Sequence, residues 1–384
     1  MVNKKFNISA QYFIYFFILG IFLPYFNLYC HKIGFTSFQI GSVSSLKTFS
    51  TIVFPLLWGY LADKFFIRKK IFILANFFSA ALWFLFFISE KFWFMMGVMF
   101  FYSLFQAPII SFLEAFTIDI LEKEKAGYGK IRLWGSIGFI ISVFLVGYLT
   151  DKISIYIILY MIFAGSFIQF LFSIKIPDVS SGSLKSAGFE IKFLLRADII
   201  IFLAASFLML ASHSPYYAFF SIYLSDNGMD NTFIGISWGI AVCAEIFIMY
   251  KSDYIFKKIN PGKVLVFSMI AAGIRWFILY FFHSGIIILS SQILHCFSYG
   301  TFHMASILFI DKMTPAGKKT TGQAVNNAFT YGLGLMAGNL LSGYFYDYYG
   351  GRNLFMFAGI TAIAGAVLMY VSALLSKLRG RYFL

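Results

Sequence analysis

Apolar stretches of about 20 residues, recurring from one end of the chain to the other, constrain this sequence more than any single motif in it. Twelve can be counted, near residues 8–30, 38–61, 69–88, 92–120, 131–150, 155–176, 198–225, 232–256, 262–282, 285–310, 320–346 and 353–376. Each is long enough for a helix to cross a hydrocarbon core of about 30 Å. A soluble domain carries roughly 25% charged residues, whereas this 384-residue chain carries 12% and is 60% hydrophobic, with a mean hydropathy of +0.82. The expected fold class is therefore all-α, a polytopic membrane protein of twelve transmembrane helices. The first run follows Lys4 and Lys5, but it is long and aromatic and no small-residue cleavage site follows it, so it reads as a membrane helix and not a signal peptide.

The connections are too short to hold a soluble domain, and the longest, "PDVSSGSLKSAGFEIK" at 177–192, separates the sixth run from the seventh. The expected organisation is a six-helix bundle over 1–176, a cytoplasmic linker over 177–192 and a second six-helix bundle over 193–384. A net charge of +14 could suggest nucleic acid, so the placement of the basic residues decides. Of the 30 lysines and arginines, Lys32, Lys91, Lys152 and Arg352 fall in odd-to-even connections, and Lys47, Arg132 and Arg275 fall within runs. The other 23 lie at the termini, in even-to-odd connections or at the run ends that border those connections. Such asymmetry is the positive-inside pattern, which puts both termini in the cytoplasm, the chain in the cytoplasmic (inner) membrane, and nucleic acid outside its partners. Cys30, Cys243 and Cys296 lie in or at the ends of apolar runs without metal-ligand spacing, so neither a disulfide, a metal nor a cofactor is implied. The 52 phenylalanines fit lipid-facing positions that accept any large apolar side chain. The expected oligomeric state is a monomer.

"GYLAD" at 59–63, "GYLTD" at 147–151 and "GYFYD" at 343–347 each close an apolar run, and the last two stand at equivalent places in the two halves. Half-to-half correspondence marks a transporter built from repeats, with its site near the midplane. The segment "GYLADKFFIRKKIF" resembles the loop motif of the major facilitator superfamily, a Gly followed four residues on by Asp and then by basic residues. Gly59, Asp63 and Lys64 match it. The later glycine of that pattern is absent, with Phe66 in its place, and the basic run Arg68, Lys69, Lys70 is shifted. "KSDYIFKKINPGK" in the second half keeps a degenerate copy in Asp253, Lys257 and Lys258.

Five charges, Lys47, Glu114, Arg132, Glu245 and Arg275, sit on five different runs. Each costs about 2.5–3.5 kcal/mol at the centre of a spanning helix, so pairing or function should compensate it. Counted from the run ends at 1.5 Å per residue, Glu245 and Arg275 differ in depth by about 3 Å and are expected to pair. Arg132 is near a run end, where it can snorkel. His295, Tyr299 and His303 stand at steps of four on the tenth run, on one helical face. His213, Tyr217 and Phe220 share a face of the seventh, and such histidines point to a polar cavity.

The stretch from Leu113 to Ser136 is similar to the branch of the superfamily that holds the lactose permease, nucleoside:proton symporters and phenylpropionate permeases. In the lactose permease-like pattern the glutamate of an E-A-F triplet pairs with an arginine eighteen residues on, the spacing of Glu114 and Arg132, and both engage substrate. A histidine twenty residues after an arginine matches Arg275 and His295. Departures from that pattern stand at Phe139 for its stacking tryptophan, Ser298 for its coupling carboxylate, Gln292 for a lysine, and His213 for an acid, which makes galactoside recognition doubtful. The resemblance is greater to the phenylpropionate permease-like group, through Tyr128, Gly129, Lys130, Arg132, Trp134, Gly135 and Ser136, then His213, Tyr216 and Tyr217. It continues through Trp238, Gly239, Ala244 and Glu245, then Gln292, His295 and His303.

"GISWG" at 235–239 fits the G-x-S-x-G nucleophile pattern, but that motif needs a strand-to-helix turn and Ser237 lies inside an apolar run, so an enzyme is not expected. No P-loop or H-E-x-x-H is present. The expected function is a secondary transporter, a proton symporter of a small organic solute such as an aromatic carboxylate, its halves rocking in alternating access. A nucleoside or sugar symporter or efflux carrier of the same fold, and a non-transporting membrane sensor, are the alternatives. Substrate contacts are expected from Glu114, Arg132, Lys47, Tyr216, Tyr217, Trp238 and Tyr299. Proton coupling or ion pairing is expected from Glu245, Arg275, His295, His303 and His213.

Overall fold

The computed structural model describes residues 2–121, 127–177, 192–315 and 317–378, and most of the expected linker, 178–191, lies outside them. Those residues are helical, without a strand among them. The spanning helices are α1 Lys4–Lys32, α2 Ser37–Phe65, α3 Arg68–Phe87, α4 Phe92–Leu121, α5 Tyr128–Lys152 and α6 Ile157–Ile174. They continue with α7 Ala197–Asp226, α8 Asn231–Tyr250, α9 Pro261–Phe281 and α10 Gly285–Met313. An eleventh helical stretch, Lys319–Ser372, has 54 residues. Unbroken it would run about 80 Å, far more than one crossing needs. Gly350, at φ 75° and ψ 166°, breaks it into α11 (319–349) and α12 (351–372). Left-handed backbone of that kind suits a residue without a Cβ. Among the described residues this makes twelve helices long and apolar enough to cross a membrane.

Helix ends follow local chemistry. Before α2 the Thr36 hydroxyl accepts from the Gln39 N–H at 3.2 Å and the Gln39 amide oxygen accepts from the Thr36 N–H at 3.0 Å, a closed capping box. Asn260 accepts from the Gly262 N–H at 2.9 Å, ahead of Pro261 at the first position of α9. α2 ends on Phe66 at φ 55°, the only described non-glycine residue with a positive φ. That is the position where the family motif has glycine. Beyond it Arg68 bonds Asp119 of α4 at 2.8 Å and lies 3.5 Å from Asp63.

Two compact units emerge, one from residues 1–184 with 230–239 and one from 185–229 with 240–384. In the first, α1 lies against α5 and α6, backbone close to backbone, because a Cβ on Gly138 would stand 2.3 Å from the Phe13 carbonyl oxygen. Tyr12, Phe72, Phe112, Phe116 and Ile131 form its buried core near one end. In the second, α7 packs on α11 and α12, and α9 packs on α10 and α12. α8 runs from one unit into the other.

The eighth expected run, 232–256, is corrected by a break at Lys251, which separates α8 from a short helix, Ser252–Lys258. The "GISWG" stretch is correspondingly a helix interface. Gly235 and Gly239 would carry Cβ atoms 2.2 Å from the Val143 carbonyl oxygen and 2.7 Å from the Phe144 ring, both on α5, and the Ser237 hydroxyl donates to the Phe233 carbonyl at 2.9 Å.

Candidate functional site

Each unit has its own cluster of polar side chains inside spanning segments. In the first, Lys47 of α2 donates to the amide oxygen of Gln106, just before the α4 bend at Ala107, and its ammonium lies 5.4 Å from the Tyr102 ring centre and 5.7 Å from that of Phe22. Arg132 of α5 lies over Phe16 at 4.0 Å, with Tyr12 at 5.7 Å. The Tyr12 hydroxyl and the Thr117 hydroxyl are 3.3 Å apart.

Glu114 is exposed on α4. Arg132 is near enough to act on it electrostatically, yet the two make no ion pair among the described residues. The eighteen-residue spacing therefore brings these groups into one neighbourhood without joining them. The guanidinium packs on rings instead, an arrangement worth about 0.5–2 kcal/mol.

The second cluster centres on Arg275 of α9, which is fully buried. One of its terminal nitrogens donates to His295 Nδ1 at 2.8 Å and the other to the Gln292 amide oxygen at 2.6 Å. Its guanidinium also lies 4.2 Å from the Tyr216 ring centre and 4.7 Å from that of Trp276. Arginine has only donors, so His295 Nδ1 must accept, and its proton sits on Nε2. That nitrogen faces Glu245 Oε2 at 3.7 Å. The direct Glu245–Arg275 pair expected from depth is replaced by a three-member row with the imidazole in the middle. α8 also ends at Tyr250, five residues after Glu245 and short of the expected run, which puts Glu245 at a different depth.

Glycine admits the acid to this row, for a Cβ on Gly300 of α10 would stand 3.3 Å from Glu245 Cγ. Around Gly300 the helix widens into a π segment, Cys296–Gly300, a feature frequent at functional sites. An α-helix turns about 40° beyond a full turn in four residues, which would fan the rings out. Here His295 and Tyr299 stack at 5.3 Å and 2°, and Tyr299 and His303 at 6.1 Å and 11°. A second π segment, Asn327–Gly334 in α11, presents Tyr331, whose hydroxyl is 2.7 Å from His303 Nδ1.

His213 of α7 is fully buried, its ring 5.0 Å from that of Trp276 and 5.9 Å from that of Tyr299. Its Nδ1 donates to the Met209 carbonyl at 2.9 Å, which leaves Nε2 as a bare acceptor with no hydrogen-bond partner among the described residues. Tyr216 and Tyr217 join the same ring cluster, with Tyr217 6.0 Å from Tyr299. Trp238 is buried on the part of α8 that belongs to the first unit. Gln106, Trp276 and Tyr331 carry no expectation from the sequence. The Gly-rich string "YGLGLMAG" at 331–338 is the one sequence signal for Tyr331, since glycines at 334 and 338 permit the close approach to α7.

The description "MFS_1 like family" matches residues 5–357. The chain belongs to that family. It is 27% identical over 351 residues to an Escherichia coli (strain K12) protein named "Probable 3-phenylpropionic acid transporter", covering 89% of this chain and 91% of that one. It is 23% identical over 369 residues to the maltose permease of Geobacillus stearothermophilus, covering 94% and 93%. The fold is that of the solved nucleoside transporter NupG, with a TM-score of 0.86 at 19% identity over 96% of this chain and 98% of that one. The chain is thus a multi-pass membrane transporter of the major facilitator type and not an enzyme.

Proposed function

We propose that this carrier moves an aromatic carboxylate together with protons across the cytoplasmic membrane, as a monomer with both termini in the cytoplasm. The observation that carries the substrate class is the pairing of the two cations in the first unit. Lys47 is held by a neutral amide and two rings, and Arg132 by two rings, so neither has an acid within ion-pair reach among the described residues. A cation kept in a spanning helix at a cost of about 2.5–3.5 kcal/mol, and left without an acid, is matched to an anionic ligand. The rings around both supply faces for an aryl group. The name of the 27%-identical relative points to the same chemistry.

Coupling is assigned to the Glu245–His295–Arg275 row. A proton on Glu245 removes the only negative charge in that row and leaves the guanidinium's charge in excess, which favours an anion. Loss of the proton restores the balance and favours release. Proton and anion binding then assist one another by the same factor. The basic residues gathered in the even-to-odd connections support the orientation.

A ligand raises the melting temperature by binding the folded state. Purified protein should be stabilised by 3-phenylpropionate and not by its neutral amide, and the shift should vanish in Lys47→Gln. Equal stabilisation by acid and amide, or stabilisation by a nucleoside or a disaccharide instead, would overturn the assignment.

A further inference from the structure

The Gly-Tyr-Leu-x-Asp string that closes α2 and α5 takes no part in either polar cluster, and its two copies stand in opposite circumstances. At the end of α2, a Cβ on Gly59 would meet nothing within 4 Å, and Asp63 is exposed, its ion-pair partner Arg68 lying 3.5 Å away. At the end of α5, a Cβ on Gly147 would stand 2.6 Å from the Asn231 carbonyl oxygen. There the Asp151 carboxylate accepts from the Asn231 N–H at 2.9 Å, the Thr232 N–H at 2.8 Å and the Thr232 hydroxyl at 2.7 Å.

α8 does not need Asp151 in order to begin. Its own cap is Asp230, which accepts from the Phe233 N–H at 2.7 Å. Asp151 takes the first two N–H groups from a different helix, where the positive end of the helix dipole favours a carboxylate. Below this contact the seam is backbone on backbone. Gly235 lies against the Val143 carbonyl, and the Tyr25 hydroxyl donates to that carbonyl at 2.8 Å and stands 3.2 Å from the Asn231 oxygen. A seam that rests on glycines, backbone contacts and a few charge-assisted hydrogen bonds can part and re-form with less repacking than one of interlocked side chains.

We propose that Asp151 is a latch. In the conformer seen here it holds the first half of α8 against α5, and in the opposite-facing conformer it lets go. α8 is the helix that passes from one compact unit to the other, which makes its start an effective place to hold. This rests on the carrier reading above.

The test tethers the latch and, separately, weakens it. In Asp151→Cys/Thr232→Cys, oxidation should lower uptake at least tenfold relative to the same protein reduced, while wild type under the same oxidant is unaffected. A static cap is indifferent to a tether, so full uptake by the cross-linked protein would overturn the latch. The second arm needs no substrate. In Ser237→Cys, a position fully buried on α8, adding Asp151→Ala should speed maleimide labelling there at least tenfold and leave labelling of the buried Cys30 unchanged, with Asp151→Asn between the two. A rise at both cysteines, or at neither, also overturns it. If no form carries any solute, the carrier reading fails and the labelling arm alone decides the latch.

Discussion

At the scale of single residues, Arg275 is the most constrained side chain of the second unit. It cannot lose its charge, it is fully buried, and its two hydrogen-bond acceptors, His295 Nδ1 and the Gln292 amide oxygen, are neutral. Arg275→Ala would strand both acceptors, uncover the faces of Tyr216 and Trp276, and leave a cavity. Glu245→Gln keeps shape, and its amide can still face His295. Arg275→Ala loses two hydrogen bonds and two ring contacts and opens a cavity, whereas Glu245→Gln keeps the volume, so Arg275→Ala should lower the melting temperature well below that of Glu245→Gln. Equal melting temperatures in the same detergent would show that the guanidinium is not what the cluster is built on. Legibility at this scale was partial. The sequence placed Glu245, His295 and Arg275 in spanning runs, yet depth counted from run ends says nothing of which way a side chain points. His295 intervenes because its stem reaches from α10 to both neighbours, a fact of helix packing that no spacing encodes.

At the scale of helices, hydropathy made the spans visible because length and apolarity are one-dimensional properties. Their interruptions were visible only where glycine or proline punctuates them. Gly350 marks a break, but Lys251 is an ordinary residue, so the eighth run was read as continuous. The π segments at Cys296–Gly300 and Asn327–Gly334 have no residue signature of their own and arise from how α10 and α11 pack. The end of α2 is the instructive exception, for the missing glycine of the loop motif is legible in the sequence and the structure gives the reason it matters. Phe66 holds the left-handed backbone at φ 55° with its side chain 72% exposed. Such a conformation costs a residue with a Cβ roughly 1–2 kcal/mol, partly offset because glycine loses more freedom on folding. Phe66→Gly should therefore stabilise the fold by up to about 1 kcal/mol, seen as a small rise in melting temperature. A fall would mean that the Phe66 ring is held by something other than its backbone.

At the scale of the whole molecule, the proposed symport requires that proton and solute be linked, and linkage can be separated from solute binding. The lactose permease-like pattern puts its coupling carboxylate where this chain has Ser298, which is buried and donates weakly to the His295 carbonyl at 3.4 Å. A hydroxyl cannot release a proton at neutral pH. Glu245 is the acid that faces the imidazole, and Arg275 on the far side of that ring keeps the deprotonated form compensated. The row therefore has two electrical states, balanced when Glu245 is ionised and positive when Glu245 holds a proton. Glu245→Gln fixes the state equivalent to protonated Glu245, with the guanidinium's charge in excess, permanently. Solute can still enter, be carried and exchange, since counterflow moves no net proton, but nothing then ties the solute to the proton gradient. The expected result is counterflow near the wild-type rate with accumulation against a gradient reduced to equilibration. If Glu245→Gln still accumulates solute, or if wild-type accumulation persists when the proton gradient is collapsed, the coupling group lies elsewhere and the row is a structural brace around Arg275.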